Sequence, residues 1–550
     1  MRVAGEPEHA EKILLRPWSI WSDFPHTPSA ARWSVVAIIA VGVGGPVFIA
    51  LVTGNLSIPH NDAWAYSRVA ETFGHGDGFA LFGWNRLGLF GQVVALGPLG
   101  RWVTAQSLAV SIAAVIGLIV TYRLVANSSS RRSGIVACAV IALFPGFGLL
   151  ATSFMADVPA FTLSVACLAL GRRAFDRGSL PLLSVAVAIG VWGATVREQA
   201  IAAPASLILA GLVIWPWAHR RVALISLGAV AAALFIAFET WRHGLPNDTP
   251  APTKLVLGRL RLLALQPFCT LAVLVSPVVI LVSRPRCWGW LGRLAASAVA
   301  VWIAFELRHN ARSITLPNYL DPRGAYVAAF VGAPRVLPSA VWLAVRALAV
   351  VSAVLLAGEV VTRFRACRLE IQFFLVAVGI GTGYQLAAGQ DVFDRYLLAP
   401  TAAVLVLLLM PVGPRPEPTT SSRHIAFTAA AAAGLLLACV TAAITLNGLA
   451  RDAARWDAAE ALQQSGMSPM SIDAGLEWLG WHSAEGVGDP GTFNATASTS
   501  WYAPMFPDSR ICVLVAASPQ AAGRLIDRVD YRTYGLFGRA HLYIYDVGDC

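Results

Sequence analysis

The run from Trp33 to Thr53 contains no charged residue, and that one stretch narrows the folds open to this chain. A bilayer core about 30 Å thick is crossed by about 20 apolar residues in a helix. Runs of this kind recur along the chain. Thirteen candidate spans lie near 33–53, 103–125, 134–152, 158–171, 180–195, 199–217, 222–240, 263–283, 292–307, 338–361, 370–388, 396–411 and 425–445. Only 13% of the 550 residues are charged, against about 25% in a soluble domain. A series of water-soluble domains is therefore excluded, and an all-α polytopic membrane protein is expected. About 30 polar residues precede the first span, which reads as an uncleaved first helix rather than a short signal sequence.

The net charge of +10 would suggest nucleic acid in a soluble protein. Here its placement gives a different reading. Arg131 and Arg132, Arg172, Arg173 and Arg177, Arg220 and Arg221, Arg284 and Arg286, and Arg363, Arg365 and Arg368 fall in alternate short loops. Basic short loops face the cytoplasm. This register puts the N-terminal tail (1–32) inside, the spans at 33–445, and the polar segment 446–550 outside. It requires a break in 180–217 at Arg197-Glu198-Gln199, because that triplet at mid-membrane would be costly. The first outer loop, 54–102, is long, as functional loops often are. Helical periodicity from His60 through Phe73 suggests amphipathic helix lying on the membrane surface. In the C-terminal segment, Arg510–Ala517 and His541–Val547 read as strands and Pro519–Val529 as a helix, predicting a small α/β domain. Of the eight cysteines, Cys138, Cys167 and Cys439 lie in apolar runs. Cys512 and Cys550 lie in the polar tail, where a disulfide would persist if it is extracytoplasmic.

Four outer positions carry chemistry. Asp62 and Asp157 each precede or open a helical stretch, where a carboxylate also serves as an ordinary cap. Arg197 sits in the tight turn after 180–195, and Arg395 lies in Asp394-Arg395-Tyr396 before the apolar run from Leu397. Arg86 lies in the first outer loop. The planar guanidinium fork suits phosphate oxygens.

The pieces Asn61–Tyr66 (NDAWAY), Gly83–Gly97 (GWNRLGLFGQVVALG), Ser153–Pro159 (SFMADVP), Val196–Pro204 (VREQAIAAP), Asp394–Pro400 (DRYLLAP) and Ile472–Trp481 (IDAGLEWLGW) occur in this order. Together they resemble the GT-C superfamily of polytopic glycosyltransferases, nearest to bacterial relatives of protein O-mannosyltransferases and of the lipid A aminoarabinose transferase. The resemblance implies transfer of a sugar from a polyprenyl-phosphate carrier to an acceptor glycan, lipid or protein outside the plasma (inner) membrane. It places Asp62 at the catalytic carboxylate of the first loop and Asp157 at a second acidic position. Arg197, Arg395 and Arg86 become candidates for the leaving phosphate, whose charge a divalent cation could also balance. Paired first-loop acids of many relatives are missing here, since Asn61 and Ala63 flank Asp62, so no metal residues are assigned. A transporter or flippase of a lipid-linked or small substrate, and a non-catalytic assembly factor, are the competing readings.

Overall fold

The computed structural model describes residues 28–84, 90–215, 218–247, 260–309, 314–411, 420–488, 500–521, 523–533 and 538–548. Its helices are α1 (Ala30–Val52, with a π turn at Ala40–Gly44), α2 (Ala63–His75), α3 (Phe90–Leu96), α4 (Val103–Ala126), α5 (Arg131–Ala142) and α6 (Phe147–Ala151). Next come α7 (Asp157–Arg177), α8 (Leu180–Val196), α9 (Ala202–Ile214), α10 (Ala218–His243), α11 (Leu260–Leu274) and α12 (Ser276–Val282). The last six are α13 (Trp290–His309), α14 (Ser339–Phe364), α15 (Leu369–Ala387), α16 (Leu398–Leu409), α17 (Thr420–Gln464) and α18 (Leu476–His482).

The apolar runs expected to span are largely helical, but not all of the thirteen reach the length of a crossing on their own. Among the described residues, eight helices are long and apolar enough to cross a membrane, or nine if α11 and α12, bent by 75°, count as one. The remainder are short. The run 134–152 breaks after α5, where Pro145 and Gly146 interrupt it, and α16 has only 12 residues. The helix does break at Arg197, whose backbone is extended (φ −154°, ψ 123°). Ser130 and Ser179 start α5 and α8 by accepting from the Ser133 and Leu182 N–H groups, which satisfies donors that have no partner within the helix.

Small residues let the helices close on one another, as is usual in membrane bundles. A Cβ on Gly171 of α7 would fall 2.3 Å from Leu207 of α9, and one on Gly190 of α8 would fall 2.7 Å from Pro204 and 2.8 Å from Cys167. At one end of the bundle the turns carry the arginine clusters. There Glu359 of α14 pairs with Arg363 at 2.5 Å and accepts from the Arg284 N–H at 3.1 Å and the Trp288 indole at 2.9 Å. Arg363 in turn donates to the carbonyls of Leu408 and Met410, at 2.7 and 3.2 Å, closing the end of α16.

The other end is capped by the C-terminal domain. Its sheet has the order β1-β2-β4-β3, with β1 (Ile472–Asp473), β2 (Val513–Ala516), β3 (Arg524–Thr533) and β4 (Gly538–Asp546). β1 runs parallel to β2; the other pairs are antiparallel. β3 corrects the expected helix at Pro519–Val529. Its second half alternates, with Val529 and Tyr531 packed toward the core and Arg528, Asp530 and Arg532 exposed, a period that only a strand can use. Cys512 is disulfide-bonded; the other described cysteines are free. Cys550, its expected partner, lies outside the described residues.

The helix α17 runs through residue 446 without a break, for 45 residues, about 68 Å at 1.5 Å per residue. The apolar face of α2 is covered by protein. Trp64, Ala65, Tyr66 and Val69 are buried, and Trp64 packs edge-on to Phe506, ring centroids 5.8 Å apart. Arg68 reaches the domain too, donating to the Gly480 and Ser483 carbonyls at 2.9 and 2.7 Å. The helix is amphipathic because it is held between bundle and domain.

A buried polar knot joins these parts. Asp452 of α17 accepts from the His60 ring Nδ1 (3.0 Å) and from the Tyr326 hydroxyl, and pairs with Arg451 (3.2 Å) and Arg455 (3.3 Å). Arg455 pairs in turn with Glu477 and donates to the Ala474 carbonyl at 2.7 Å. The segment that contains Asp62 is thus tied, two residues earlier, to the domain's foundation.

Candidate functional site

Asp62, Asp157, Arg197 and Arg395 come from four separate chain segments and meet at the capped end. Asp62 stands at the start of α2, yet its side chain caps nothing. One oxygen accepts from the Trp84 indole N–H at 3.0 Å, and the other pairs with Arg395 at 2.6 Å. Asp157, in the first turn of α7, pairs with Arg197 at 2.8 Å and lies 3.7 Å from Arg395. Arg395 therefore stands between the two carboxylates. The plain helix-cap reading fails for Asp62, whose carboxylate is directed across the site instead.

The four side chains are deeply set, with Asp62 the most open at 14% exposure and Asp157 at 1%. The Arg197 guanidinium lies 4.2 Å from the Tyr396 ring centre. Burial alone would weaken the Arg395 charge, but Asp62 and Asp157 outweigh it and hold its pKa above the usual arginine value. Burial, reinforced by the Asp62 charge, raises the Tyr66 hydroxyl above its ordinary range. Asp394 supports the frame. It accepts from the backbone N–H groups of Tyr319 and Leu320 at 2.8 and 2.6 Å. Burial still pushes its carboxyl up to about 7 against the pull of those donors.

The cluster is paired but not saturated. Among the described residues, both Asp157 oxygens, Nε and one terminal nitrogen of Arg197, and Nε and one terminal nitrogen of Arg395 are buried without a hydrogen bond of proper geometry. Buried polar groups are normally satisfied. A set of forked N–H donors left over at one point is what an anion with several oxygens would complete. The same donor set does not suit a divalent cation. Each carboxylate already faces a guanidinium, and among the described residues no group of three His, Cys, Asp or Glu side chains could hold a metal ion.

An apolar groove of about 570 Å³ lies between α8 and α10; the four charged side chains are not among its lining residues. Phe90, Trp192, Thr195 and Trp241 line its capped end, with Val187, Val191, Leu227, Val230 and Leu234 further along. Thr195 is two residues from Arg197. Trp241 adjoins Arg242, which pairs with Glu198 at 3.1 Å and Glu239 at 2.8 Å.

Arg86 lies outside the described residues. Trp84, within the quoted GWNRLGLF stretch, had no assigned role, since an indole that donates to a carboxylate leaves no periodic mark. Tyr396 follows Arg395 in the DRYLLAP stretch, and its ring contact with Arg197 leaves no periodic mark either.

No family model matches the chain, and no curated protein matches it. Among solved structures it is similar to the oligosaccharyltransferase of Archaeoglobus fulgidus in its apo form, at 14% identity and a TM-score of 0.33, over 75% of this chain and 56% of that one. It is similar to ArnT from Cupriavidus metallidurans in the apo state, at 16% identity and a TM-score of 0.33, over 82% of this chain and 85% of that one. It is also similar to the arabinosyltransferase EmbB from Mycobacterium smegmatis, at 12% identity and a TM-score of 0.32, over 78% of this chain and 42% of that one. The chain spans little more than half the length of the oligosaccharyltransferase.

Proposed function

We propose that the chain is a GT-C-type glycosyltransferase that moves a sugar from a polyprenyl-phosphate donor to an acceptor outside the plasma membrane. One observation carries this reading: two carboxylates alternate with two guanidinium groups whose buried N–H donors are left over, and an apolar groove ends at Thr195, two residues before Arg197. A donor of this class has the same two parts, a charged phosphate and an apolar tail. The arginine-rich turns lie at the opposite end; the bias of such turns toward the cytoplasm supports a site and C-terminal domain that face outside.

In this reading Asp62, the most exposed of the four, is the general base. An acceptor hydroxyl is a poor nucleophile until its proton is taken. Asp62 takes that proton as the hydroxyl oxygen bonds to the anomeric carbon. The bond from that carbon to the phosphate oxygen breaks, and the configuration inverts. Arg197 and Arg395 hold the charge that develops on the leaving phosphate, with Arg86 as a third candidate. Asp157 keeps both guanidinium groups in place and completes the acidic pair.

A flippase of the same lipid would use the same groove without needing Asp62. The buried ionisable side chains of the spans count against it. Glu306, Glu359, Arg363 and Glu370 all lie near helix ends, whereas coupled transporters place such groups near the midplane.

The test is release of polyprenyl phosphate from a panel of synthetic polyprenyl-phosphate sugars by purified protein in bilayers with a cell-envelope extract. At least one donor should be consumed. Arg197→Lys and Arg395→Lys, which keep the charge but lose the fork, should each slow release about 100-fold. Movement of labelled donor across the bilayer without cleavage would establish the flippase instead.

A further inference from the structure

We propose that Trp84 and Trp501 form a stacking subsite beside Asp62, and that the acceptor it receives is a saccharide. The proposal rests on the glycosyltransferase reading and specifies its acceptor. Trp501 belongs to the C-terminal domain and is 56% exposed. It does not stand alone, because its ring adjoins that of Trp84. The Trp501 ring is held firmly. The indole N–H donates to the Ala328 carbonyl at 2.8 Å, and the ring meets Tyr502 at right angles, centroids 5.8 Å apart. Tyr502 is itself buried and donates to Asp473 at 2.9 Å. The exposed face is therefore presented in one orientation.

Trp84 lies next to it, centroids 6.3 Å apart and planes inclined by 39°. Two rings at that angle form an open wedge, and the Trp84 N–H points to the Asp62 carboxylate at 3.0 Å. A sugar ring has C–H groups clustered on one face and hydroxyls around its rim. The C–H face suits the negative face of an indole, and the rim then reaches the base. Asn61, next to Asp62 in the chain, leaves its buried Nδ2 without a partner among the described residues. An alkyl alcohol has no rim of hydroxyls to bring to Asp62, and a Ser or Thr side chain has no C–H face to lay on the indoles.

The experiment uses full-length protein in nanodiscs and saturation-transfer NMR. The probes are methyl disaccharides of mannose, arabinose, galactose and glucose, with a Ser/Thr hexapeptide and dodecanol for comparison. At least one disaccharide should receive saturation from the protein. Trp501→Ala should raise its half-saturating concentration about ten-fold, an effect of the size of one aromatic contact. Trp501→Phe should restore most of it, and Ile526→Ala, an exposed apolar change on β3, should have no effect. The proposal is overturned if no disaccharide binds in a Trp501-dependent way, or if the peptide or the alcohol binds there instead. Donor consumption by the same preparation is read separately. Consumption without saccharide binding would remove this subsite and leave the enzyme. Binding with no donor consumed would leave a saccharide-binding membrane protein and remove the enzyme.

Discussion

Asp62→Asn should lower turnover of the donor about a thousand-fold while the protein remains folded, the magnitude typical of losing a general base. The substitution is nearly isosteric. The amide oxygen can still accept from Trp84, and Arg395 keeps Asp157 within 3.7 Å. What disappears is the negative charge that faces Arg395 at 2.6 Å and, with it, the capacity to take a proton from the acceptor. Steady-state release of polyprenyl phosphate measures the effect, and size-exclusion behaviour with thermal unfolding checks the fold. Turnover within about ten-fold of the unmodified protein would remove Asp62 as the base. An assembly factor that works through its C-terminal domain would tolerate the change, so the same variant separates that reading from the enzymatic one.

Asp452→Ala should have the largest effect on stability. The carboxylate faces Arg451, Arg455, His60 and Tyr326 in a space closed to solvent. Removing it leaves two guanidinium groups and an imidazole short of their partner; breaking a buried ion pair in this way costs about 3–5 kcal/mol. Glu477 still neutralises Arg455, so the loss falls mainly on the contact between α17 and the first loop. The readout is limited proteolysis: the C-terminal domain should become cleavable near Gln464 at protease levels that leave the unmodified protein whole. Equal protection of the two proteins would mean that the knot contributes little. Because His60 precedes Asp62 by two residues, turnover should fall in parallel.

The site was more legible in the sequence than the packing around it, for physical reasons that differ from residue to residue. The break at Arg197 followed from the cost of a charged triplet in hydrocarbon, a local quantity. The meeting of Asp62, Asp157, Arg197 and Arg395 followed from counting which helix ends share a face, with the family resemblance selecting among them. The helix α2 was harder. Its apolar stripe signals a buried face but not the identity of what buries it, and the covering surface around Trp478 and Phe506 lies some 400 residues later. The strand β3 was misread because its first residues, Leu525 and Ile526, break the alternation at a bulge. The span count rests in part on runs, such as those of α5 and α16, whose helices are shorter than a full crossing. The stacked indoles were out of reach, because Trp84 and Trp501 are brought together only by the folded domain.

The uninterrupted course of α17 has a consequence for how this architecture can vary. Its first half faces the bundle, through Leu437, Val440 and Ile444; its second half presents Asp452 to His60 and Arg455 to Glu477. On a rigid rod these two faces are locked in phase. Adding or deleting one residue between them turns the second by about 100° and carries Asp452 off its partners. Substitutions along the rod can be absorbed one at a time, but a change in its length has to come in whole turns.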